Sequence, residues 1–182
     1  MCARAETAPP EVVQSAVAAV EVLGKSVVLG DHKMAVQKMY PQWKQRMAKR
    51  AGGIEKLEEQ LSKVGQEMAR QGVSIIDFKT AGEPKSYGIW PGEGHTEEEP
   101  VYTKWLCLVP TVTTWRIIKR NEETPKPVVV NMRSFQVAIA DKADMQWNFI
   151  NGTDASVAAL RGMFTSLPAN LELPPVRQEE VK

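Results

Sequence analysis

The chain contains few of the residues that build metal centres or disulfide frameworks. Its 182 residues include two cysteines and two histidines. Cys2 lies near the N-terminus and Cys107 lies in an apolar stretch, so we expect no structural disulfide and interpret Cys107 as a small buried hydrophobic residue. His32 and His95 are too far apart for zinc-type spacing. His95 could share a metal with the glutamates at 97–99, but an ordinary acidic loop is the favoured interpretation, and we predict no metal site.

An excess of charge of one sign is also absent. The 23 Lys and Arg and 22 Asp and Glu residues give a formal net charge of +1. A protein that binds nucleic acid through its phosphates needs an excess of cations, so we predict no nucleic-acid partner. Polar side chains interrupt residues 12–29, and no run approaches the roughly 20 apolar residues of a membrane-spanning helix. Phosphate-binding glycine loops and Gly-x-Ser-x-Gly motifs are missing too, so we predict no cofactor.

The N-terminus leaves two compartments open. Residues 3–5 read Ala-Arg-Ala, which has the small-x-small form of a signal-peptidase site, but no apolar stretch precedes them. As given, the sequence predicts a cytoplasmic protein, whereas a trimmed or misassigned start would make it an exported one. Asn151-Gly152-Thr153 matches a glycosylation sequon. Because Asn-Gly is first of all a turn dipeptide, we interpret it as a turn.

Apolar residues recur at three- and four-residue intervals over the first part of the chain, which predicts helices. A first helical run follows Pro9-Pro10 and stops at Gly30-Asp31, where Asp31 is placed to cap the next helix. Pro41 lies inside the second run and predicts a kink or a restart. The third run follows Gly52-Gly53 and is the most regular. Gly72 is placed to end it in the left-handed conformation.

Strand-like segments then replace the helical pattern. Residues 73–79 and 86–90 predict a hairpin, and the acidic loop at 91–100 is expected to form a mobile rim. Two long strands follow at 101–119 and 128–140. Such a long pair is what a strongly curved sheet needs.

The end of the chain adds one strand and one short helix. Pro110 cannot donate to a ladder, so it should bend the first long strand or mark a bulge. The strand at 145–150 places Trp147 and Phe149 on one face. Residues 154–167 predict a short helix, with a polar tail beyond it.

This order of elements predicts the α+β class. N-terminal helices should pack on a strongly curved, mainly antiparallel sheet that forms a cone, followed by a short C-terminal helix and tail. We expect a flexible N-terminus at 1–10, a single domain at 11–174 and a flexible tail at 175–182.

Several of these elements resemble the nuclear transport factor two-like superfamily of SnoaL-like cones. They are Tyr40-Pro41-x-Trp43, the Gly52-Gly53 break, the amphipathic helix to Gly72, and Trp147-x-Phe149-Ile150-x-Gly152. The likeness spans residues 30–174. It is greatest to bacterial members in which a similar tryptophan strand precedes a short helix and a Leu-Pro-rich tail. Many members have a third helix where this chain has the 91–100 loop.

The resemblance implies a cone whose helices close the concave side of the sheet over an apolar pocket. Members use this pocket for binding, dimerisation or acid–base chemistry, so the fold does not settle the function. Aromatic side chains and one arginine are the candidates for the pocket wall: Tyr40, Trp43, Trp90, Trp105, Trp115, Arg133, Phe135 and Trp147. Core packing is the ordinary alternative for each aromatic residue.

Arg133 decides which ligand the pocket would favour. It shares a strand face with Phe135, and a cation buried there would need an anionic partner. If that face lines the cone, we expect an anionic amphipathic ligand. If it is the outer face, the arginine is merely solvated.

Three residues are candidates for acid–base catalysis. A carboxylate or imidazole in an apolar pocket has its pKa moved toward neutrality, which suits proton abstraction. Asp31 and His32 lie at the junction of two helices, and Asp77 lies on the first strand. Helix capping is the favoured interpretation of Asp31, and a surface position is an equal alternative for His32.

Three functional hypotheses follow. The leading one is a non-catalytic domain that binds a small apolar or anionic-amphipathic ligand or a protein partner, with the sheet face available for a homodimer. The second is a cofactor-free isomerase or dehydratase that uses a pocket carboxylate or histidine. The third is an interaction module whose cone is filled by its own aromatic residues. An open cone would separate the first two from the third.

Overall fold

The computed structural model describes residues 6–119 and 124–181. Cys2, residues 3–5 and part of the turn between the two long strands lie outside the described residues. Five helices are described: α1 (Pro10–Val28), α2 (His32–Gln37), α3 (Pro41–Ala51), α4 (Ile54–Arg70) and α5 (Val157–Arg161). Six strands form one sheet: β1 (Ser74–Thr80), β2 (Lys85–Pro91), β3 (Tyr102–Lys119), β4 (Lys126–Asp141), β5 (Asn148–Asn151) and β6 (Arg177–Glu180).

The predicted fold class is confirmed. Helices occupy the N-terminal part, and an antiparallel sheet that does not close into a barrel follows, with a short helix and tail near the C-terminus. No helix in the described part of the chain is both long and apolar enough to cross a membrane.

The chain restarts at Pro41 instead of kinking. Residues 38–40 leave the helical path and run beside β5, where Tyr40 N–H donates to Phe149 O (2.9 Å) and Phe149 N–H donates to Lys38 O (2.8 Å). Pro41 then occupies the first turn of α3, where its missing N–H has no intrahelical partner to lose. The edge of the sheet therefore sets the break between α2 and α3.

Helix ends follow the sequence signals. The Asp31 carboxylate accepts from Met34 N–H (3.3 Å), which confirms the helix-capping interpretation. Gly72 has φ +71°, as predicted. Val73 N–H donates to Met68 O and Gly72 N–H donates to Ala69 O, so α4 ends in a Schellman motif.

The predicted hairpin between the first two strands is wrong. β1 and β2 each pair antiparallel with β3, β1 along Thr111–Arg116 and β2 along Tyr102–Leu108. They therefore run in the same direction and follow one another along one edge of β3. β5 and β6 share the outer edge of β4 in a similar way.

Pro110 explains where the β3 edge is interrupted. Its carbonyl accepts from Ala81 N–H (2.9 Å), in the segment between β1 and β2. Because the N–H and C=O of one strand residue point to the same side, the donor that proline lacks would face this gap. Pairing with β4 continues through Pro110 opposite Phe135 without a register shift. The predicted bulge at Pro110 is therefore absent from this pairing. The irregularity of β1 between Ile75 and Asp77 lies elsewhere, opposite Trp115 and Thr114.

The two faces of the sheet are covered by different elements. α1 packs on the face that carries Trp105, Cys107, Val109, Ala138 and Ala140. α5 and the segment to Leu171 pack on the opposite face, over Leu106, Leu108, Phe135, Val137 and Ile139. α5 is shorter than predicted, but its apolar residues Leu160 and Phe164 are buried as expected. The face expected to mediate a homodimer is therefore partly covered by the chain itself.

The ends of the described chain are held against the sheet. Residues 175–182 were expected to be a flexible tail, yet Arg177–Glu180 pairs with β4 as β6. At the other end, Gly88 N–H donates to Glu6 O (2.7 Å) and Ala8 N–H donates to Ser86 Oγ (3.0 Å). Backbone pairing thus orders segments that are too polar or short to fold alone.

The Asn151-Gly152 turn is confirmed. Thr153 N–H donates to Asn151 Oδ1 (3.1 Å), and Gly152 N–H donates to Phe135 O (2.9 Å). A Cβ on Gly152 would lie 2.3 Å from Phe135 O, so only glycine fits this approach to β4.

Replacing Trp147 by alanine tests the packing of α1 on the sheet. Trp147 is 7% exposed, lies in the α1 cluster with Phe149, and donates from Nε1 to Ser15 Oγ (3.0 Å). We expect Trp147→Ala to lower the free energy of unfolding by about 3–5 kcal/mol, measured by denaturant titration. Trp90→Ala, at a tryptophan that is 44% exposed, should cost less than about 1 kcal/mol. A loss below about 1 kcal/mol for Trp147 would contradict this packing.

Candidate functional site

A cavity of about 320 Å³ lies between the N-terminal helices and the sheet face that α1 covers only in part. Its floor is formed mainly by alternate residues of the two long strands: Thr111, Thr113, Trp115, Met132, Ser134 and Gln136. Asn151, Thr153 and Asp154 also line it and are exposed, so the cavity opens to solvent on the β5 side. The volume falls at the lower end of the range for small-molecule pockets.

The sequence of the strands explains why space remains there. Large or apolar side chains under α1, such as Trp105 and Val109, give way along the same face to Thr111 and Thr113. Thr111 lies directly opposite Ser134, and both are buried. Short hydroxyl side chains do not fill the distance to the helices. At Thr111, Thr113 and Ser134 the floor is therefore low and polar, under a mainly apolar roof.

Methionines supply much of the roof and one side of the floor. Met39, Met47 and Met68 come from the helical half, and Met132 comes from β4. Half of the eight methionines of the chain thus line this one cavity. An unbranched thioether side chain adapts its shape to its neighbours, so this wall can adjust to different contents.

Two glycines let side chains approach the helices closely. A Cβ on Gly24 of α1 would lie 1.9 Å from Phe78 Cδ1, and a Cβ on Gly65 of α4 would lie 2.8 Å from His32 Cδ2. Phe78 and His32 both line the cavity. The missing side chains therefore leave room for the rings of Phe78, from β1, and His32, from α2.

Two buried polar atoms in the wall have no hydrogen-bond partner in the described structure. They are Ser134 Oγ and the indole Nε1 of Trp115. Their strand positions are four residues apart along the ladder, which corresponds to roughly 13 Å. An unpaired buried donor costs about 1–3 kcal/mol. Both atoms are shielded from solvent, so a ligand gains these hydrogen bonds when neighbouring side chains move aside.

Asp154 and His32 are the titratable side chains of the cavity wall among the described residues. Asp154 is exposed at the rim, but the apolar atoms beside it displace water, and this desolvation raises the pKa of its carboxyl. Within residues 6–119 and 124–181, no three His, Cys, Asp or Glu side chains come together to hold a metal ion. His95 Nδ1 instead accepts from Val101 N–H (2.9 Å).

The seven aromatic residues predicted for the pocket wall are divided among four places. Trp43 and Trp115 line the cavity. Trp105 and Trp147 pack under α1, and Phe135 is buried on the opposite face. Tyr40 and Trp90 line a separate groove on that opposite face.

Arg133 lies on the face of Phe135, away from the cavity, because Met132 and Ser134 are the neighbours that line it. It is exposed, and its Nε lies 3.4 Å from Glu179 Oε2 on β6. Of the two alternatives for Arg133, the structure therefore shows the arginine on the outer face, where it is exposed to solvent.

Among the catalytic candidates, His32 lines the cavity, whereas Asp31 caps α2. Asp77 is exposed on β1 and does not line the cavity. Cys107 is fully buried under α1, and burial raises the pKa of its thiol to about 12, in keeping with a small hydrophobic role.

Ser134, Asp154 and the methionines were not singled out from the sequence. A signal was present, because Thr111, Thr113, Ser134 and Gln136 are polar residues at alternate positions of otherwise apolar strands. Polar alternation normally indicates a solvent-facing side. Here it marks the face that borders the cavity.

Comparison of the chain with protein-family models, curated proteins and solved structures finds no match. The resemblance to the nuclear transport factor two-like superfamily therefore stays a prediction.

Replacing Asp154 by asparagine tests the desolvation of this carboxyl. The pKa of Asp154 is raised in the folded state, so the folded protein holds this proton more tightly than the unfolded chain does. Above that pKa the carboxyl is ionised, and its ionised form destabilises the fold. Asp154→Asn should therefore raise the melting temperature at neutral pH. The difference should vanish near pH 2, below the ordinary aspartate pKa of roughly 3.9.

The measurement is thermal unfolding followed by circular dichroism across this pH range, with Asp77→Asn as the control for loss of one carboxylate. Two results would contradict the desolvation of Asp154. One is a lower melting temperature for the variant than for wild type at neutral pH, and the other is a difference in melting temperature that is the same at every pH.

Proposed function

We propose that this is a non-catalytic domain whose cavity binds a small, uncharged, mainly apolar molecule that carries at least one hydrogen-bond acceptor. The observation that supports this most directly is the pair of unpartnered buried donors, Ser134 Oγ and Trp115 Nε1, in a wall that combines an apolar roof with a partly polar floor. Ligand pockets commonly combine an apolar lining with a few placed polar groups.

The two donors limit the chemistry of the ligand. An indole N–H only donates, and a serine hydroxyl both donates and accepts. A carbonyl, ether or hydroxyl oxygen at one end of an apolar body would satisfy either group. The separation of roughly 13 Å between the two strand positions leaves room for an elongated molecule with a polar atom at each end.

The charges around the cavity favour a neutral ligand. Its wall contains no Lys or Arg among the described residues, and its one carboxylate, Asp154, would repel an anion. The expectation of an anionic ligand depended on Arg133, which is paired with Glu179 on the opposite face. A neutral molecule avoids burying an unpaired charge.

The size and the wall both allow more than one ligand. The volume of about 320 Å³ is roughly twice that of the apolar cavity of about 150 Å³ that accepts benzene. Four methionines can repack around contents of different shape. The open space also argues against the alternative in which the cone is filled by its own aromatic residues.

Native mass spectrometry of the freshly purified protein, followed by mild denaturation, tests the proposal. We expect a released neutral small molecule. Ser134→Ala should weaken its retention roughly tenfold because one hydrogen bond to the ligand is lost. The same change should stabilise the empty protein by about 1 kcal/mol, since it removes an unpartnered buried hydroxyl.

Ser166→Ala provides the matched control. Ser166 Oγ is also buried without a partner in the described structure, but Ser166 does not line the cavity. Its replacement should stabilise the protein similarly and leave ligand retention unchanged. Equal retention by the wild type and Ser134→Ala, or equal losses for both serine variants, would contradict binding at this site.

A second function is favoured by one observation, the raised pKa of Asp154 at the cavity rim. A carboxylate with a raised pKa is a stronger base and could abstract a proton from a bound ligand. Incubating the released molecule with the protein in heavy water would detect this as deuterium incorporation by mass spectrometry. Loss of incorporation in Asp154→Asn would support an isomerase-type activity, and no incorporation in the wild type would leave binding as the function.

A further inference from the structure

A second groove, of about 410 Å³, lies on the sheet face opposite the cavity. It is bounded by the start of α3, the end of β2, and the facing ends of β3 and β4. Its wall differs from that of the cavity, since one exposed indole stands among amide and carboxylate side chains: Trp90, Gln42, Gln45, Asp144, Gln146 and Asn148. Exposed aromatic surface beside polar groups of this kind is not needed for the core.

The backbone at Trp90 directs its indole into this groove. Ile89 lies opposite Lys104 and is buried with the cluster of Leu106 and Ile139. Strand alternation would place Trp90 on the other face, with Gly88. Trp90 has φ +64° instead, and its ring lies on the Lys104 side, with Lys104 Nζ 6.0 Å from the ring centroid.

This conformation is costly for the residue that adopts it. A positive φ is a genuine outlier for a residue with a bulky side chain. Trp90 also precedes Pro91, and a residue before a proline normally has an extended backbone. The hydroxyl of Thr103 donates to Trp90 O (3.0 Å) and helps to hold it. Strain that turns an aromatic ring out of the core and into a groove is typical of binding sites.

The polar side chains of the groove can both donate and accept hydrogen bonds. Gln42 Oε1 is buried and has no partner in the part of the chain that the structure describes. Lys104 Nζ lies 2.5 Å from Asp141 Oδ2, so these two charges offset each other at the base of the groove. Asp144 and Gln146 are exposed at its edge.

We propose that this groove binds a carbohydrate, with one sugar ring stacked on Trp90. The electron-rich face of an indole attracts the slightly positive C–H groups on one side of a pyranose ring. The hydroxyl groups around the ring edge both donate and accept, which matches the amides and carboxylates beside the indole.

Other ligand classes fit the groove less well. A cationic ligand over Trp90 meets the ammonium group of Lys104 near the same ring. A purely apolar ligand would cover the exposed Asp144 carboxylate without replacing its hydrogen bonds to water. A polyhydroxylated ring satisfies both the aromatic and the polar walls.

Saturation-transfer difference NMR of the whole chain tests this proposal, with D-glucose, D-galactose, N-acetyl-D-glucosamine, maltotriose and cellotriose as probes. We expect transfer to the ring C–H protons of at least one probe. Trp90→Gly should reduce that transfer roughly tenfold because the stacking platform is lost. Trp90→Phe should keep part of it, since a smaller aromatic face remains.

Trp90→Gly also separates loss of binding from loss of folding. Glycine adopts positive φ without steric cost, so the melting temperature of this variant should equal or exceed that of the wild type. Ser134→Ala, in the cavity on the other face, should leave the sugar signals unchanged, so the result is independent of the cavity ligand. Absence of transfer to all five probes, or transfer that survives in Trp90→Gly, would overturn the proposal.

Discussion

The continuous antiparallel pairing of β3 with β4 governs the rest of the molecule. It runs from Lys104 opposite Asp141 to Lys119 opposite Lys126 without a register shift. Because successive residues of a strand point to opposite faces, this one register assigns every side chain of both strands to a face. Thr111 and Ser134 meet on the helix side, while Pro110 and Phe135 meet on the other. Shifting the register by one residue would move the buried hydroxyl groups into the core under α5 and expose its phenylalanine to the cavity.

Both proposed sites arise where this two-sided packing is incomplete. On the helix side, α1 covers one end of the strands, and the remaining helices span the other end above short polar side chains, which leaves the cavity. On the opposite side, α5 and the segment to Leu171 cover the centre of the sheet, and the groove beside Trp90 remains at its end. Each space retains an unpartnered buried polar atom, which stable cores normally avoid. That shared feature links the structure to binding more closely than the fold class does.

Local sequence signals predicted what local physics controls. The regular apolar spacing of α4, the left-handed Gly72 and the capping Asp31 all depend on residues within one or two turns of the helix, and all three are present. The pairing of strands that are distant in the sequence could not be predicted in this way. The pattern of β1 and β2 indicates two strands but not that both pair with β3, and the polarity of β6 conceals its pairing with β4.

The candidate site could not be predicted from the sequence for the same reason. Aromatic residues occur in both cores and pockets, and only the position of α5 shows that Phe135 belongs to the core. The reversed direction of Trp90 comes from a backbone conformation that its side-chain type disfavours.

The most direct test of the account is whether the cavity accepts a small apolar guest. Xenon binds in apolar parts of protein cavities, and isotope-labelled methionine methyl groups report its arrival by NMR. We expect xenon pressure to shift the methyl resonances of the four cavity residues, Met39, Met47, Met68 and Met132, and to leave Met163 in the opposite core unchanged. Unchanged signals from all four, or a shift of Met163 equal to theirs, would contradict an accessible cavity between the helices and the sheet.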